Sequence, residues 1–142
     1  MGAPILQPVV GLVVWTMVMC AWLYATRIPA MQRLQIDPDS LVRDPDGSLD
    51  RVLPPHVQWK AHNYNHLHEA PTVFYAAALV LAVTGNGAGL PASLAWAYLL
   101  LRIVHSLVHA TVNRVMLRWA PFMLSTLVLA VLVCLAALAV FR

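Results

Sequence analysis

Four stretches of the chain alternate with polar breaks, and they differ in how cleanly apolar they are. Val9 to Ala25 holds no charge and carries Trp15, Trp22 and Tyr24, while Trp119 to Phe141 holds no charge and has Trp119 and Phe141 near its ends. A bilayer core of about 30 Å needs roughly 20 helical residues, and aromatic side chains favour its two boundaries, so both stretches predict spanning helices. Lys60 to Val83 and Leu90 to Val112 reach spanning length only by admitting Asn65, His66, His68 and Glu69 in one and Arg102, His105 and His109 in the other. The pattern predicts an all-α, integral membrane four-helix bundle. Its spans fall at about residues 7–26, 60–84, 90–112 and 119–141, with a surface loop over 27–59, in a single transmembrane domain covering 1–142.

The polar residues of the two middle spans are periodic. At about 100° per residue, Tyr98, Arg102, His105, His109 and Asn113 share an arc of roughly 80°, and Gln58, His62, Asn65, His66 and Glu69 share roughly 100° on the preceding span, with His68 off that stripe. A charge at a helix centre costs about 2.5–3.5 kcal/mol on insertion scales, so neither stripe is expected to face lipid. One reading is structural: Glu69, the one acid outside the Asp-rich loop, pairs with Arg102 and fixes helix register. The other is a ligand site, because one acid cannot satisfy several basic groups. Arg102, Arg114 and Arg118 gather with His105 and His109 toward one end of the third span. Guanidinium groups pair with carboxylates through parallel hydrogen bonds, so a small carboxylate-bearing ligand suits them. Arg114 and Arg118 also fit topology or lipid headgroup contact.

Composition agrees with this picture. Of 142 residues, 61% are hydrophobic and 11% charged, and the mean hydropathy is +0.72, far above what one small soluble core buries. Between Arg27 and Pro55, Pro29, Pro38, Pro45, Pro54 and Pro55 are expected to interrupt any helix, and Asp37, Asp39, Asp44, Asp46 and Asp50 mix with arginines in a solvated loop. Gly85-Asn86-Gly87-Ala88-Gly89-Leu90-Pro91 reads as a tight turn between antiparallel spans, and Asn113 to Arg118 as a second short connection. Arg27, Arg33, Arg43, Arg51, Lys60, Arg114 and Arg118 place the first and third connections in the cytoplasm and both termini on the other side, with Arg142 dissenting. Topology accounts for the net charge of +3 without a nucleic-acid partner. Met1 to Val10 has no basic n-region and no small-x-small site follows, so the first span is read as retained. Cys20 and Cys134 sit singly in spans and make no disulfide framework. His62/His66 and His105/His109 have the four-residue spacing of metal or haem ligands, but an adjacent arginine repels a cation and no cysteine accompanies them, so no metal is expected.

Lys60-Ala-His-Asn-Tyr-Asn65-His-Leu-His-Glu69-Ala-Pro71 resembles the second helix of the MAPEG proteins, the membrane-associated proteins in eicosanoid and glutathione metabolism, in a bacterial-type version. Arg102-Ile-Val-His105-Ser-Leu-Val-His109, followed by Arg114 and Arg118, resembles that family's third helix and the loop after it. The resemblance covers nearly the whole chain. It implies a homotrimer in which glutathione, as cosubstrate, lies near the cytoplasmic face between neighbouring subunits. By motif position it implies Asn65, Glu69, Arg102, His105 and Arg114 as glutathione contacts, with His105 as an orienting donor, and Arg118 as the residue that stabilises the thiolate; His109 joins them as a candidate contact that could donate a hydrogen bond to a thiolate. The second substrate would be a lipophilic small molecule entering from the membrane lipids. The chain departs from the family pattern at four positions. His68 stands where Asn-x-x-Glu would place its acid, Glu69 arrives one position late, and His109 and Phe122 stand where tyrosines are often found. A non-catalytic lipid-binding or scaffolding trimer is the competing expectation. A proton or solute carrier is a third, disfavoured by four short spans with no broken-helix pair.

Overall fold

A computed structural model describes residues 3–43 and 47–142, apart from the side chain of Val42. Asp44, Pro45 and Asp46 of the acidic loop therefore lie outside the described residues. The helices are α1 (Leu6–Arg33), α2 (Pro38–Arg43), α3 (Leu49–Val52), α4 (Pro55–His66), α5 (Ala70–Val83), α6 (Leu90–Thr111) and α7 (Val115–Phe141). Among the described residues four helical stretches are long and apolar enough to cross a membrane: Leu6–Arg33, Pro55–Val83, Leu90–Thr111 and Val115–Phe141. They make an all-α four-helix membrane bundle, as the alternation of apolar stretches predicts.

The boundaries differ from expectation where proline was taken as a stop. Pro29 lies inside α1, which continues to Arg33. A proline costs its own N–H bond and disturbs the carbonyl four residues back. Here that carbonyl belongs to Ala25, an exposed residue near the end of the span, where other partners are at hand. At about 1.5 Å per residue the 28 residues of α1 run roughly 42 Å, more than a bilayer core needs, so its last turns extend beyond it. The helix closes at Gln35, whose φ of 51° is left-handed. The Ile36 amide donates to Met31 at 3.1 Å and Gln35 to Gln32 at 3.2 Å, the paired bonds of a Schellman end. Pro38 and Pro55 start helices instead of preventing them, since an N-terminal position has no intrahelical use for the missing N–H. The expected 27–59 loop is thus largely helical.

Pro71 does break the second span. Its ring conflicts with the carbonyl of Leu67, and the chain turns over Leu67, His68 and Glu69 before α5 begins at Ala70. The Thr72 hydroxyl donates to the Glu69 carbonyl at 2.6 Å, and His68 Nδ1 donates to the Tyr64 carbonyl at 2.9 Å. Glu69 consequently does not continue the helical stripe of α4, and the arc computed through it does not apply.

α6 is the packing centre and touches α7, α1 and α4, while α7 also lies along α5. Its buried face runs Ala92, Ala95, Tyr98, Leu99, Arg102, His105, Ser106 and His109 at three- and four-residue spacing. Small residues allow close helix approach, and Gly11 of α1 does so here: a Cβ there would stand 2.8 Å from Leu99 Cδ2. The apolar core is Leu12, Met19, Phe74, Ala78, Leu81, Ala95 and Leu132. Large apolar side chains such as Val14, Met17, Leu79, Leu100 and Leu127 point outward, as lipid-facing surface requires.

At the end opposite the histidines, the α5–α6 turn holds the N-terminus. The Ile5 amide donates to the Gly87 carbonyl at 3.0 Å. A Cβ on Gly87 would meet Ile5 Cγ2 at 2.7 Å and the backbone Cα of Ala82 at 3.2 Å. Gly87→Ala is therefore expected to destabilise the protein by about 1–3 kcal/mol, as overpacking does. Thermal unfolding in detergent checks this, and an unchanged midpoint would show that the N-terminal contact is dispensable.

Candidate functional site

The break after His66 frees the end of α4 to turn its imidazole toward α6. The His66 ring stacks on His105 with centroids 5.0 Å apart and planes 30° apart, and meets His109 edge-on at 6.1 Å. Phe122 of α7 closes the cluster, 5.5 Å from His66 and 5.8 Å from His105. Beside these rings lies a cavity of about 270 Å³ lined by His66, His105, His109, Val115, Arg118, Trp119 and Phe122. Its inner wall is imidazole and guanidinium, and its outer wall includes the exposed Val115 and Trp119.

The link between α6 and α7 sets Arg118. Asn113 takes a left-handed φ of 50°, a conformation asparagine tolerates better than most residues, and so reverses the chain in very few residues. α7 starts at Val115, which places Arg118 on its first turn and not in the connection that the sequence suggested. Arg118 Nη1 donates to Asn113 Oδ1 at 2.8 Å. His105 Nδ1 lies 2.9 Å from the Arg118 carbonyl oxygen. A carbonyl only accepts, so Nδ1 carries the hydrogen and the neutral ring leaves Nε2 as an acceptor.

Arg102 is 1% exposed. Its guanidinium carbon sits 5.8 Å from the Tyr98 ring centre and 5.9 Å from that of Phe122. Among the described residues none of its three side-chain nitrogens has a hydrogen-bond partner, and the Tyr98 hydroxyl has none either. The Glu69–Arg102 pair weighed from the sequence does not form. The Glu69 side chain is 68% exposed and its nearest basic group is His66 Nε2 at 3.9 Å, because the turn at Leu67 to Glu69 carries it off the α4 face.

Of the residues singled out in the sequence, His105, His109 and Arg118 share the cavity wall, and Arg102 lies behind Phe122. Asn65, Glu69 and Arg114 are exposed outside it, with Arg114 at the N-cap of α7. His62, on the same stripe, faces outward and lies 3.3 Å from Asp50 Oδ1. Sequence reasoning missed Asn63, which is fully buried and donates through Nδ2 to Ser106 Oγ. The signal was the spacing of Lys60, Asn63 and Leu67, all buried on the inner side of the α4 chain. The imidazoles pack ring on ring instead of converging on a point, and among the described residues no group of three or more His, Cys, Asp or Glu has an arrangement that holds a metal.

No curated protein and no solved structure matches the chain significantly. The sequence profile of the MAPEG family matches residues 5–138, which takes in the first three spans, all but the last three residues of the fourth, the broken second helix and the histidine–arginine cavity, and the chain therefore belongs to the MAPEG family.

Proposed function

We propose that the protein is a glutathione-dependent membrane transferase or peroxidase acting on lipophilic electrophiles or lipid hydroperoxides. The observation that carries this reading is Arg118, a guanidinium anchored on Asn113 that lines a cavity whose outer wall is apolar. A fixed cation in a low-dielectric wall favours a thiolate over a thiol, and the thiolate is the nucleophile. Arg118 would hold that sulfur while Val115 and Trp119 admit the acceptor from the bilayer. The sulfur then bonds to an electrophilic carbon, whose leaving group departs with the bonding pair or whose opened double bond or ring takes up a proton, or it takes the terminal oxygen of a hydroperoxide and leaves an alcohol, a second glutathione completing the disulfide with release of water. His105 would position Arg118 through its backbone and offer Nε2 as an acceptor, in place of the donor role implied by the family resemblance.

The cavity of about 270 Å³ is slightly below the usual range of ligand pockets, about 300–1,000 Å³. It fits the cysteinyl arm and leaves the rest of the tripeptide to the exposed Asn65, Glu69 and Arg114 and to a neighbouring subunit. This supports a homotrimer with shared sites. The arginine-rich connections favour a cytoplasmic site, with both termini on the opposite side.

Calorimetric titration of glutathione into the detergent-purified protein, with the thiolate absorbance followed in parallel, tests the reading. Saturable binding with a thiolate signal is expected. Arg118→Ala is expected to reduce that signal by about 10- to 100-fold, the worth of one hydrogen bond to a charged group. Absence of binding in the unaltered protein would leave the second reading, a non-catalytic lipid-binding or scaffolding trimer. That reading is favoured by His109 and Phe122 at the usual tyrosine positions.

A further inference from the structure

A guanidinium buried inside a membrane bundle without an acceptor is incomplete, and Arg102 is in that condition. Its side chain and the Tyr98 hydroxyl present donors to no partner, and its compensation is two aromatic faces, at 5.8 Å and 5.9 Å. Such faces contribute about 0.5–2 kcal/mol each, less than full neutralisation of a buried cation supplies. Arg102 itself does not line the cavity. Phe122 lines it and also lies against the guanidinium, so this one ring separates the cation from the space beside His66, His105, His109 and Arg118.

We infer that Arg102 and Tyr98 form a concealed carboxylate subsite, uncovered when the Phe122 ring swings away. A planar fork of N–H donors with a hydroxyl beside it matches the two oxygens of a carboxylate. The cavity mouth at Val115 and Trp119 is apolar and exposed, so the carboxylate arrives on a chain with apolar character. The groups facing it are His66 from α4, Tyr75 from α5, His105 and Tyr98 from α6, and Phe122 from α7; the Glu69 carboxylate is exposed and within electrostatic reach but makes no bond to the guanidinium. Phe122 acts as the placeholder, exchanging its weak hold on the cation for the ligand's charge. The subsite goes beyond the glutathione reading, because a fatty-acid carboxylate and a glutathione carboxylate present the same chemistry to it.

The test titrates decanoate and, separately, glutathione into the detergent-purified full chain, with methyl decanoate as the uncharged control for micelle partitioning. At least one carboxylate is expected to bind saturably and the ester is not. Arg102→Met is expected to weaken that binding by about 10- to 100-fold. Phe122→Ala, which keeps the cation and removes the cover, is expected to tighten it by about 2- to 10-fold. Equal affinity in Arg102→Met, no tightening in Phe122→Ala, or no binding of either acid would overturn the subsite. Decanoate binding that depends on Arg102 while glutathione stays silent would keep the subsite and sink the glutathione reading. Glutathione binding indifferent to both substitutions would do the reverse.

Discussion

Arg102→Met is expected to make the protein more stable, by up to about 2.5 kcal/mol, in contrast to most substitutions of a fully buried side chain. A central arginine costs about 2.5–3.5 kcal/mol on membrane-insertion scales, and the rings of Tyr98 and Phe122 return about 0.5–2 kcal/mol each, so the net cost that the substitution relieves is at most about 2.5 kcal/mol. Methionine is unbranched and adaptable, and so fills much of the vacated volume while making favourable contacts with the same rings. Arg102→Lys keeps the charge and gains nothing. Thermal or denaturant unfolding in detergent separates the two variants. A loss of stability in Arg102→Met would mean that an acceptor supplied by another subunit neutralises the cation in the assembled protein. Greater stability combined with lost carboxylate binding would show a group retained for recognition at the expense of the fold.

Asn113 is the second position where a large effect is expected, and two substitutions there divide structure from positioning. Asn113→Val places a β-branched side chain at a φ of 50°, which costs about 2 kcal/mol, and it also removes the acceptor of the 2.8 Å bond from Arg118. Asn113→Gly keeps the turn without strain and removes only that acceptor. The valine variant is expected to unfold at markedly lower temperature, whereas the glycine variant is expected to hold its midpoint within a degree or so of ordinary loop substitutions. Both are expected to weaken the glutathione thiolate signal by about 10-fold, because a freed Arg118 samples several rotamers. An undiminished signal in Asn113→Gly would remove Asn113 from the positioning of Arg118.

The four spans and the polar face of α6 were legible because both follow from periodicity, and Tyr98, Arg102, His105 and His109 are all buried as the helical arc requires. Proline was read too simply. Pro29 is carried within α1 at an exposed end of the span, whereas Pro71 interrupts a helix in mid-course and carries Glu69 with it. On the second span the arc did not mark one inward face even before the break: Gln58 is buried and His66 lines the cavity, whereas His62, Asn65 and Glu69 are exposed. Pairing across helices was the least legible feature. That Asn63 meets Ser106, and that Arg102 meets two rings and no acid, depends on helix rotation and depth, which no single span encodes. Asn65, Glu69 and Arg114 stand on the outside of the chain, away from the cavity.

The bond from the Ile5 amide to the Gly87 carbonyl has a bearing on synthesis. Ile5 leaves the ribosome ahead of its acceptor, which is not made until the second span is complete and its turn has emerged. Through that interval this end of α1 lacks its mate, although Ile5 is wholly buried in the finished protein. A segment made before the second span is thus secured only after it. A bulky side chain introduced at Ile5 would meet the same turn at that later step.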